Sequence, residues 1–105
     1  MSETQARAFA SFREFYPFYL SEHANTACRR LHFVGSSLVL GCVLMLVRSG
    51  NPWWLLSALF CGYGFAWVGH FFFEHNKPAT FKHPFYSFIG DWVMYKDILI
   101  GRIKF

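Results

Sequence analysis

Two long apolar runs separated by a short turn constrain the fold of this chain more than any other sequence feature. The first run extends from Phe33 to Val47 and the second from Trp53 to Phe73, and neither contains Lys, Arg, Asp or Glu. At about 1.5 Å per residue, the second run reaches roughly 31 Å and can cross a hydrocarbon core, whereas the first reaches only about 22 Å. We therefore expect the second run to span a membrane, and the first to do so if its polar ends contribute.

The composition indicates that lipid surrounds much of the surface. Hydrophobic residues make up 54% of the 105 residues and charged residues 15%, against roughly 25% charged residues in ordinary soluble domains. The length allows one domain, residues 1–105. The alternative is a soluble protein in which the first run is a buried core helix. Trp53 and Trp54 at the turn resemble interfacial anchors and favour the membrane.

The basic residues predict the orientation of the hairpin. Arg48 alone lies at the turn, while the outer ends of the runs carry more basic residues: Arg7, Arg13, Arg29, Arg30, Lys77 and Lys82. By the positive-inside rule both outer ends face the cytoplasm, which in a bacterium predicts an integral protein of the inner membrane. The net charge of +4 then needs no nucleic-acid partner, and no stripe of Lys and Arg alternates with a stacking platform.

The segments outside the hairpin are predicted to be amphipathic helices that lie along the membrane. Residues 8–23 place aromatic side chains at helical spacing, and we expect Pro17 to break or restart that helix. Residues 85–100 repeat the pattern, but three charged residues interrupt it and argue against a third span.

Together these patterns predict an all-α fold, with an antiparallel transmembrane hairpin of about residues 32–48 and 53–73 flanked by amphipathic interfacial helices. No cleavable signal peptide is predicted, because the chain begins with polar residues and no apolar core precedes residue 33. Cys28, Cys42 and Cys61 are odd in number and widely spaced, so we expect small buried hydrophobes rather than a disulfide framework or a zinc ribbon.

The histidines gather at one side of this hairpin: His23, His32, His70, His75 and His83. A stripe of small residues on the second run, 58–66, continues to His70, and Ser37 and Gly41 match it on the first run. Since small residues let helices approach closely, His70 is expected to face the first run at the depth of His32. Imidazole and carboxylate groups within apolar sequence suggest a metal site.

Helical geometry separates the ionisable residues around His70. At about 100° per residue, Glu74 lies some 40° from His70 and His75 some 140° away. His70 and Glu74 can therefore hold one ion from a single helix face. His75 can join only if the helix ends or unwinds there, which the sequence Asn76-Lys77-Pro78 permits.

The helix must be interrupted between His23 and His32 before both residues can bind that ion. They are nine residues apart and would point to opposite sides of a continuous helix. Asn25 as a cap, followed by a new helix from Thr26, removes the conflict. His83, beside a proline in a loop, is expected to be an ordinary polar residue.

Four motifs in a fixed order give the chain a resemblance to a known family. They are His23-Ala24-Asn25, His32-Phe33-Val34-Gly35, Gly69-His70 through Glu74, and Lys77-Pro78-Ala79-Thr80. The pattern resembles the small membrane proteins grouped with the yeast 2-hydroxy fatty acid dioxygenase of phytosphingosine breakdown, over about residues 15–95. This resemblance implies an Fe(II)-dependent dioxygenase that shortens a 2-hydroxy fatty acid by one carbon and releases CO2.

The resemblance also implies roles for individual residues. By position, His23, His32 and His70 are the implied iron ligands and catalytic residues. Glu74 is implied as a fourth ligand or a base, and His75 ranks below these four. Histidine with one carboxylate suits an iron ion that must keep positions open for O2 and a hydroxy acid.

The remaining expectations concern the substrate and two alternatives. Arg29 or Arg30 is expected to hold the carboxylate of a 2-hydroxy fatty acid, in an enzyme surrounded by membrane lipid. Asp91 is interpreted either as a partner of a ligating histidine or as an exposed residue of the last helix. The alternatives are a membrane scaffold that holds zinc or another structural ion, and a lipid-binding subunit without catalysis.

Overall fold

The computed structural model describes residues 9–105, and this part of the chain is all-α, as predicted. Its four α-helices are α1, Phe12–Ser21; α2, Thr26–Ser49; α3, Trp53–Val68; and α4, Pro84–Leu99. A π-helical turn, Gly69–Glu74, continues α3, and a 3-10 turn, Ala79–Phe81, precedes α4. Arg7 lies outside the described residues, as do the polar N-terminal residues from which the absence of a cleavable signal peptide was predicted.

The helices α2 and α3 form the predicted antiparallel hairpin, and local chemistry specifies its turn. Gly50 ends α2 in the left-handed region, with φ of 70°, and donates its N–H to Leu46 O at 2.8 Å. Glycine adopts this conformation without the strain that a Cβ would cause. Asn51 Oδ1 accepts a hydrogen bond from Trp53 N at 3.0 Å. The turn therefore ends one helix and begins the next within three residues.

Two glycines let the helices of the hairpin pack closely. A Cβ added at Gly35 would lie 2.9 Å from Phe65 Cβ, and one added at Gly62 would lie 3.2 Å from Val39 Cγ2. Gly62 therefore faces α2, as the small-residue stripe predicts. Gly41, its expected counterpart, does not face α3, since a Cβ there would meet no atom within 4 Å. The packing register instead places Gly35 opposite α3, so the closest approach lies nearer the histidine end.

Both arms of the hairpin are long and apolar enough to cross a membrane. The helix α2 has 24 residues, about 36 Å, because it begins well before the apolar run: Asn25 Oδ1 caps it by accepting from Ala27 N at 2.8 Å. The polar end thus contributes the length that the first run lacks. The second arm, Trp53–Glu74, has 22 residues. Large apolar side chains lie exposed along the arms, such as Val47 at 76% and Phe60 at 77%.

The helix α1 continues through Pro17, so the expected break is wrong. Proline removes one backbone donor from a helix interior and strains the preceding turn. Tertiary packing offsets this effect, because Phe15 and Tyr19 on the buried face are 0% and 1% exposed and join Met94 and Ile98 of α4 in one core cluster.

The helix α4 packs against both α1 and the hairpin. The Tyr19 ring lies over Gly90, where an added Cβ would come within 3.0 Å of the ring. Ser37 Oγ, expected to face α3, instead lies 2.9 Å from the Tyr95 hydroxyl of α4. Together, α1 and α4 cover the end of the hairpin at which α2 begins and the second arm ends.

Candidate metal centre

Three imidazoles from three different segments converge at the covered end of the hairpin. His23 follows α1, His32 lies in the second turn of α2, and His70 is the second residue of the π-helical turn. His23 Nε2 lies 3.1 Å from His32 Nε2 and 3.0 Å from His70 Nε2. The side chains are 1%, 7% and 1% exposed, respectively. The structure therefore brings together the three histidines that the resemblance implies as ligands.

The predicted break at Asn25 is present and makes this convergence possible. The helix α1 ends at Ser21, and Asn25 takes an extended conformation, with φ of −77° and ψ of 129°, as the N-cap of α2. His23 lies in the bend between the two helices. Its ring can therefore turn towards His32, which no continuous helix would allow.

A glycine beside His70 sets how close the second arm comes to α2. A Cβ added at Gly69 would lie 2.9 Å from Cys28 Sγ and 3.2 Å from Cys28 Cα. At Gly69 the backbone widens into the π-helical turn, a local feature that is frequent at functional sites. The turn ends at His75, which has a left-handed φ of 58°. Close backbone approach and the wide turn together direct His70 inward.

Each of the three rings faces an oxygen acceptor through its Nδ1 atom. His23 Nδ1 lies 2.7 Å from Tyr19 O, and His32 Nδ1 lies 3.1 Å from Cys28 O. Because a carbonyl oxygen only accepts, each Nδ1 must carry the proton in the neutral ring.

His70 follows the same rule through a side-chain amide. Its Nδ1 lies 2.7 Å from Asn76 Oδ1, and Asn76 Nδ2 donates to Glu22 O at 3.3 Å. This second bond fixes the amide orientation, so its oxygen faces His70. All three rings therefore have the tautomer in which Nε2 presents a lone pair.

Three lone pairs that face one another form a site that could hold a cation. In this tautomer none of the Nε2 atoms carries a hydrogen, so the short Nε2 contacts of His23 are not hydrogen bonds and are repulsive by themselves. A metal ion bound by the three Nε2 atoms would replace this repulsion with ligation, and contacts such as those of the Nδ1 atoms orient ligating histidines in metalloproteins. The donor set thus fits a divalent transition metal.

The separations between the nitrogens agree with that interpretation. Two imidazole nitrogens held about 2.1 Å from one ion at a right angle lie about 3.0 Å apart. The two Nε2 separations that involve His23, 3.1 and 3.0 Å, match this value. Three histidines on one face of an ion leave its other positions open for exogenous ligands.

Burial and the neighbouring rings keep His23 neutral. The pKa of His23 is well below its ordinary value, first because burial disfavours the charged form and second because positive charge on His32 or His70 would repel it. A neutral imidazole is the form that binds metal. Protons therefore compete weakly for this nitrogen at neutral pH.

Cys28 is a further residue of the cluster that the sequence analysis did not select. Its Sγ and one ligand atom of each of the three histidines all lie within 4.8 Å of one another, so the four buried side chains could hold a metal ion. Cys28 Sγ lies 3.8 Å from His32 Nδ1. The available signal was its spacing, since residues four apart lie on one helix face. The sequence predicts Cys28 to be a small buried hydrophobe, and it is buried.

Glu74 lies beside the cluster but makes a different contact in this structure. Its carboxylate accepts a hydrogen bond from the backbone N–H of Asn25. This contact ties the π-helical turn to the beginning of α2, and hence the His70 segment to the segment that follows His23. Its role as a fourth ligand or base stays a prediction.

The other two histidines lie apart from the three that converge. His75 is exposed at the end of the π-helical turn. His83 packs against aromatic rings, with its centroid 5.2 Å from that of Phe9 and 5.5 Å from that of Phe15. Neither belongs to the four-residue cluster.

The two arginines assigned to the substrate make contacts elsewhere. Arg29 Nη1 donates to His23 O at 3.1 Å and Ala24 O at 2.8 Å, so it stabilises the bend between α1 and α2. The Arg30 guanidinium lies 5.0 Å from the centre of the Phe105 ring. Neither lines the cavity between α2 and α3.

A cavity of about 360 Å³ extends from the histidines between α2 and α3. At its histidine end the lining includes Ser87 and Asp91, and towards the turn it includes Val43 and Leu55. Ser87 is 3% exposed, and its Oγ has no hydrogen-bond partner among residues 9–105. A buried hydroxyl without a partner is unfavourable. Ser87 is therefore ready to donate to a polar group of a bound ligand.

Asp91 and Tyr19 form a hydrogen-bonded pair at the histidine end of the cavity. The Tyr19 hydroxyl donates to Asp91 Oδ1, and the Tyr19 ring stacks on His23 with centroids 4.1 Å apart. Burial raises the pKa of Asp91 to about 6, against a smaller lowering effect of the Tyr19 hydrogen bond. Asp91 thus contacts a residue that packs on a histidine of the cluster, and is not simply an exposed position of α4.

The fold and the site define a small helical protein with a histidine-rich cluster at the polar end of an apolar cavity. A family model described as 2-hydroxy-palmitic acid dioxygenase Mpo1-like matches residues 9–103, and the chain belongs to this family. No curated protein and no solved structure matches the chain. The family supports a relation to fatty acid oxygenation, and the buried cluster is compatible with a metal.

Proposed function

We propose that the protein is an Fe(II)-dependent dioxygenase of 2-hydroxy fatty acids. In the proposed reaction one 2-hydroxy acid and one O2 give the acid one carbon shorter, one CO2 and one water. The C1–C2 bond breaks, C2 is oxidised to the new carboxyl carbon, and O2 accepts the four electrons, so no further reductant is needed. The observation that carries the proposal is the convergence of three Nε2 lone pairs at the polar end of an apolar cavity.

The residues of the chain would bind the iron and position the acid. His23, His32 and His70 would hold Fe(II), which supplies the activation of O2 and a positive charge for the substrate carboxylate. The oriented Nδ1 atoms keep each Nε2 free to bind. The Ser87 hydroxyl would donate to the polar head of the acid, while apolar residues between α2 and α3 surround the chain.

The site would work at a membrane surface. Both arms are long and apolar enough to cross a bilayer, and a long-chain acid dissolves in the same lipid. Arg29 and Arg30 at one arm and Lys77 after the other would place the histidine end on the cytoplasmic side by the positive-inside rule.

The test uses the full chain, purified in detergent without oxygen and loaded with Fe(II). After air is admitted, a long-chain 2-hydroxy acid labelled with 13C at C1 should yield labelled CO2 and an unlabelled acid one carbon shorter, both measured by mass spectrometry. The non-hydroxylated acid serves as the control substrate. If the protein binds one iron per chain but forms neither product, the result would instead support a non-catalytic metal-binding scaffold.

A further inference from the structure

The polar and the apolar residues that line the cavity lie towards opposite ends of it. Many of its polar residues lie at the histidine end, where Ser87 and Asp91 of α4 line the cavity together with the three histidines. The remaining length is lined mainly by aliphatic and small residues of the two arms, such as Val39, Val43 and Leu59. Such a lining matches a ligand with one polar head and one apolar chain. The volume of about 360 Å³ is near the lower end for small-molecule sites, which favours a single chain.

Helix geometry gives the depth of the cavity below the histidines. Val39 and Val43 follow His32 on α2 by 7 and 11 residues, or about 10 Å and about 17 Å along the axis. On the opposite arm, Leu59 precedes His70 by 11 residues, again about 17 Å. The two arms therefore place cavity-lining residues at corresponding depths.

We infer that the cavity binds one extended acyl chain with its head at the histidines and Ser87, and that Val39 and Val43 set the chain length the protein accepts. This inference rests on the proposed function. An extended chain advances about 1.2 Å per bond, since three backbone bonds span at most about 3.6 Å. The depth of Val43 thus corresponds to about fourteen bonds. A larger side chain at either valine shortens the space that remains.

The adjacent positions on α2 supply matched controls. Val39 and Val43 line the cavity, whereas Leu40 and Leu44 do not. Val43 is 43% exposed and Leu40 48%, so the pair differs in contact with the cavity rather than in exposure. Val39→Phe and Val43→Phe add bulk to the cavity wall. Leu40→Phe and Leu44→Phe add an aromatic ring to the outer face of the same helix turns.

Binding is measured on metal-free protein in nanodiscs, by calorimetric titration with saturated 2-hydroxy acids of increasing length. Val43→Phe should shift the tightest-binding length to a shorter acid. Val39→Phe should shift it further, by about five more carbons, because the two positions are about 6 Å apart along α2. Leu40→Phe and Leu44→Phe should keep the length preference of the parent protein.

The outcomes separate this inference from the proposed function. Equal length preference in the parent and Val43→Phe, with thermal unfolding unchanged, overturns the inference even if turnover is observed. Gly62 packs on Val39, so the larger side chain of Val39→Phe could prevent folding. In that case Val43→Phe alone tests whether the cavity selects chain length. A phospholipid with two chains that competes as well as the free acid likewise overturns it. Length-selective binding without turnover supports the inference and counts against the proposed reaction.

Discussion

The two ends of the α2–α3 hairpin give the same pair of helices opposite surroundings. At the histidine end, α1 and α4 cover the helices, and His23 and His70 are each 1% exposed. At the turn end, Val47 and Trp53 are 76% and 70% exposed. Buried polar groups are unfavourable unless they find partners, whereas apolar side chains in lipid need none from the protein. The chain therefore encloses the end that carries the histidine cluster and leaves the apolar side chains of the other end exposed.

The largest expected effect comes from removing a ligand at the histidine end. His23→Ala, His32→Ala and His70→Ala should each lower bound iron and reduce turnover by more than about 100-fold, since loss of an outer partner of a ligand alone costs about 10–100-fold. His83→Ala, which changes a ring outside the cluster, should retain its iron. Elemental analysis of the anaerobically purified variants measures this, and equal iron in all four would contradict the proposed ligand set.

A smaller effect is expected when the Nδ1 partner of His70 is removed. Asn76→Ala leaves His70 Nδ1 without its acceptor and should weaken iron binding by about 10–100-fold. Asn51→Ala, which removes the hydrogen bond from Trp53 N to the Asn51 side chain at the turn end, should reduce the free energy of unfolding by about 1 kcal/mol and leave iron affinity unchanged. Metal titration and thermal unfolding of both variants test this contrast. Iron affinity lowered equally by the two substitutions would show that the ends are not independent.

The pH dependence of stability should also report the histidine end, through Asp91. Burial raises the pKa of Asp91 from an ordinary value near 3.8 to about 6, so the folded protein binds its proton more tightly than the unfolded chain. The associated stability is present below about pH 4 and is lost as pH rises to about 6, by about 3 kcal/mol.

Asp91→Asn removes this titration, and the difference in the free energy of unfolding between the parent and the variant should change over that interval. Chemical unfolding in detergent at several pH values measures it. A constant difference from pH 4 to pH 7 would mean that Asp91 does not gain protons on folding. Asn51→Ala at the turn end should leave the pH profile unchanged.

The smallest effect is expected at the turn. Gly50→Ala places a Cβ on a residue with φ of 70° and should reduce the free energy of unfolding by about 1 kcal/mol. Gly41→Ala, at a helical position with nothing within 4 Å of the new Cβ, should instead stabilise by about 0.5–1 kcal/mol. Thermal unfolding measures both, and bound iron should be unchanged in each. Destabilisation by Gly41→Ala would show that this face of α2 has a partner.

Much of the architecture follows from patterns along the chain. The apolar runs, the turn around Gly50 and the cap at Asn25 identify the two arms and the new helix before His32. These features are local, because helical rise, glycine conformation and capping depend on residues within a few positions of one another. Pro17 shows the limit of such reasoning, since packing of the helix around it outweighed its local preference.

The sequence by itself determined the apolar hairpin that carries His32 and His70, and its resemblance to a family made His23, His32 and His70 the leading candidate metal ligands. Only the tertiary structure decided that Cys28 joins the cluster, that Glu74 contacts Asn25, and that Ser87 of α4 faces the cavity. The physical reason is that apolar periodicity and capping are properties of a single segment. The partner of an imidazole nitrogen or a hydroxyl depends instead on how separate helices are rotated and spaced against each other.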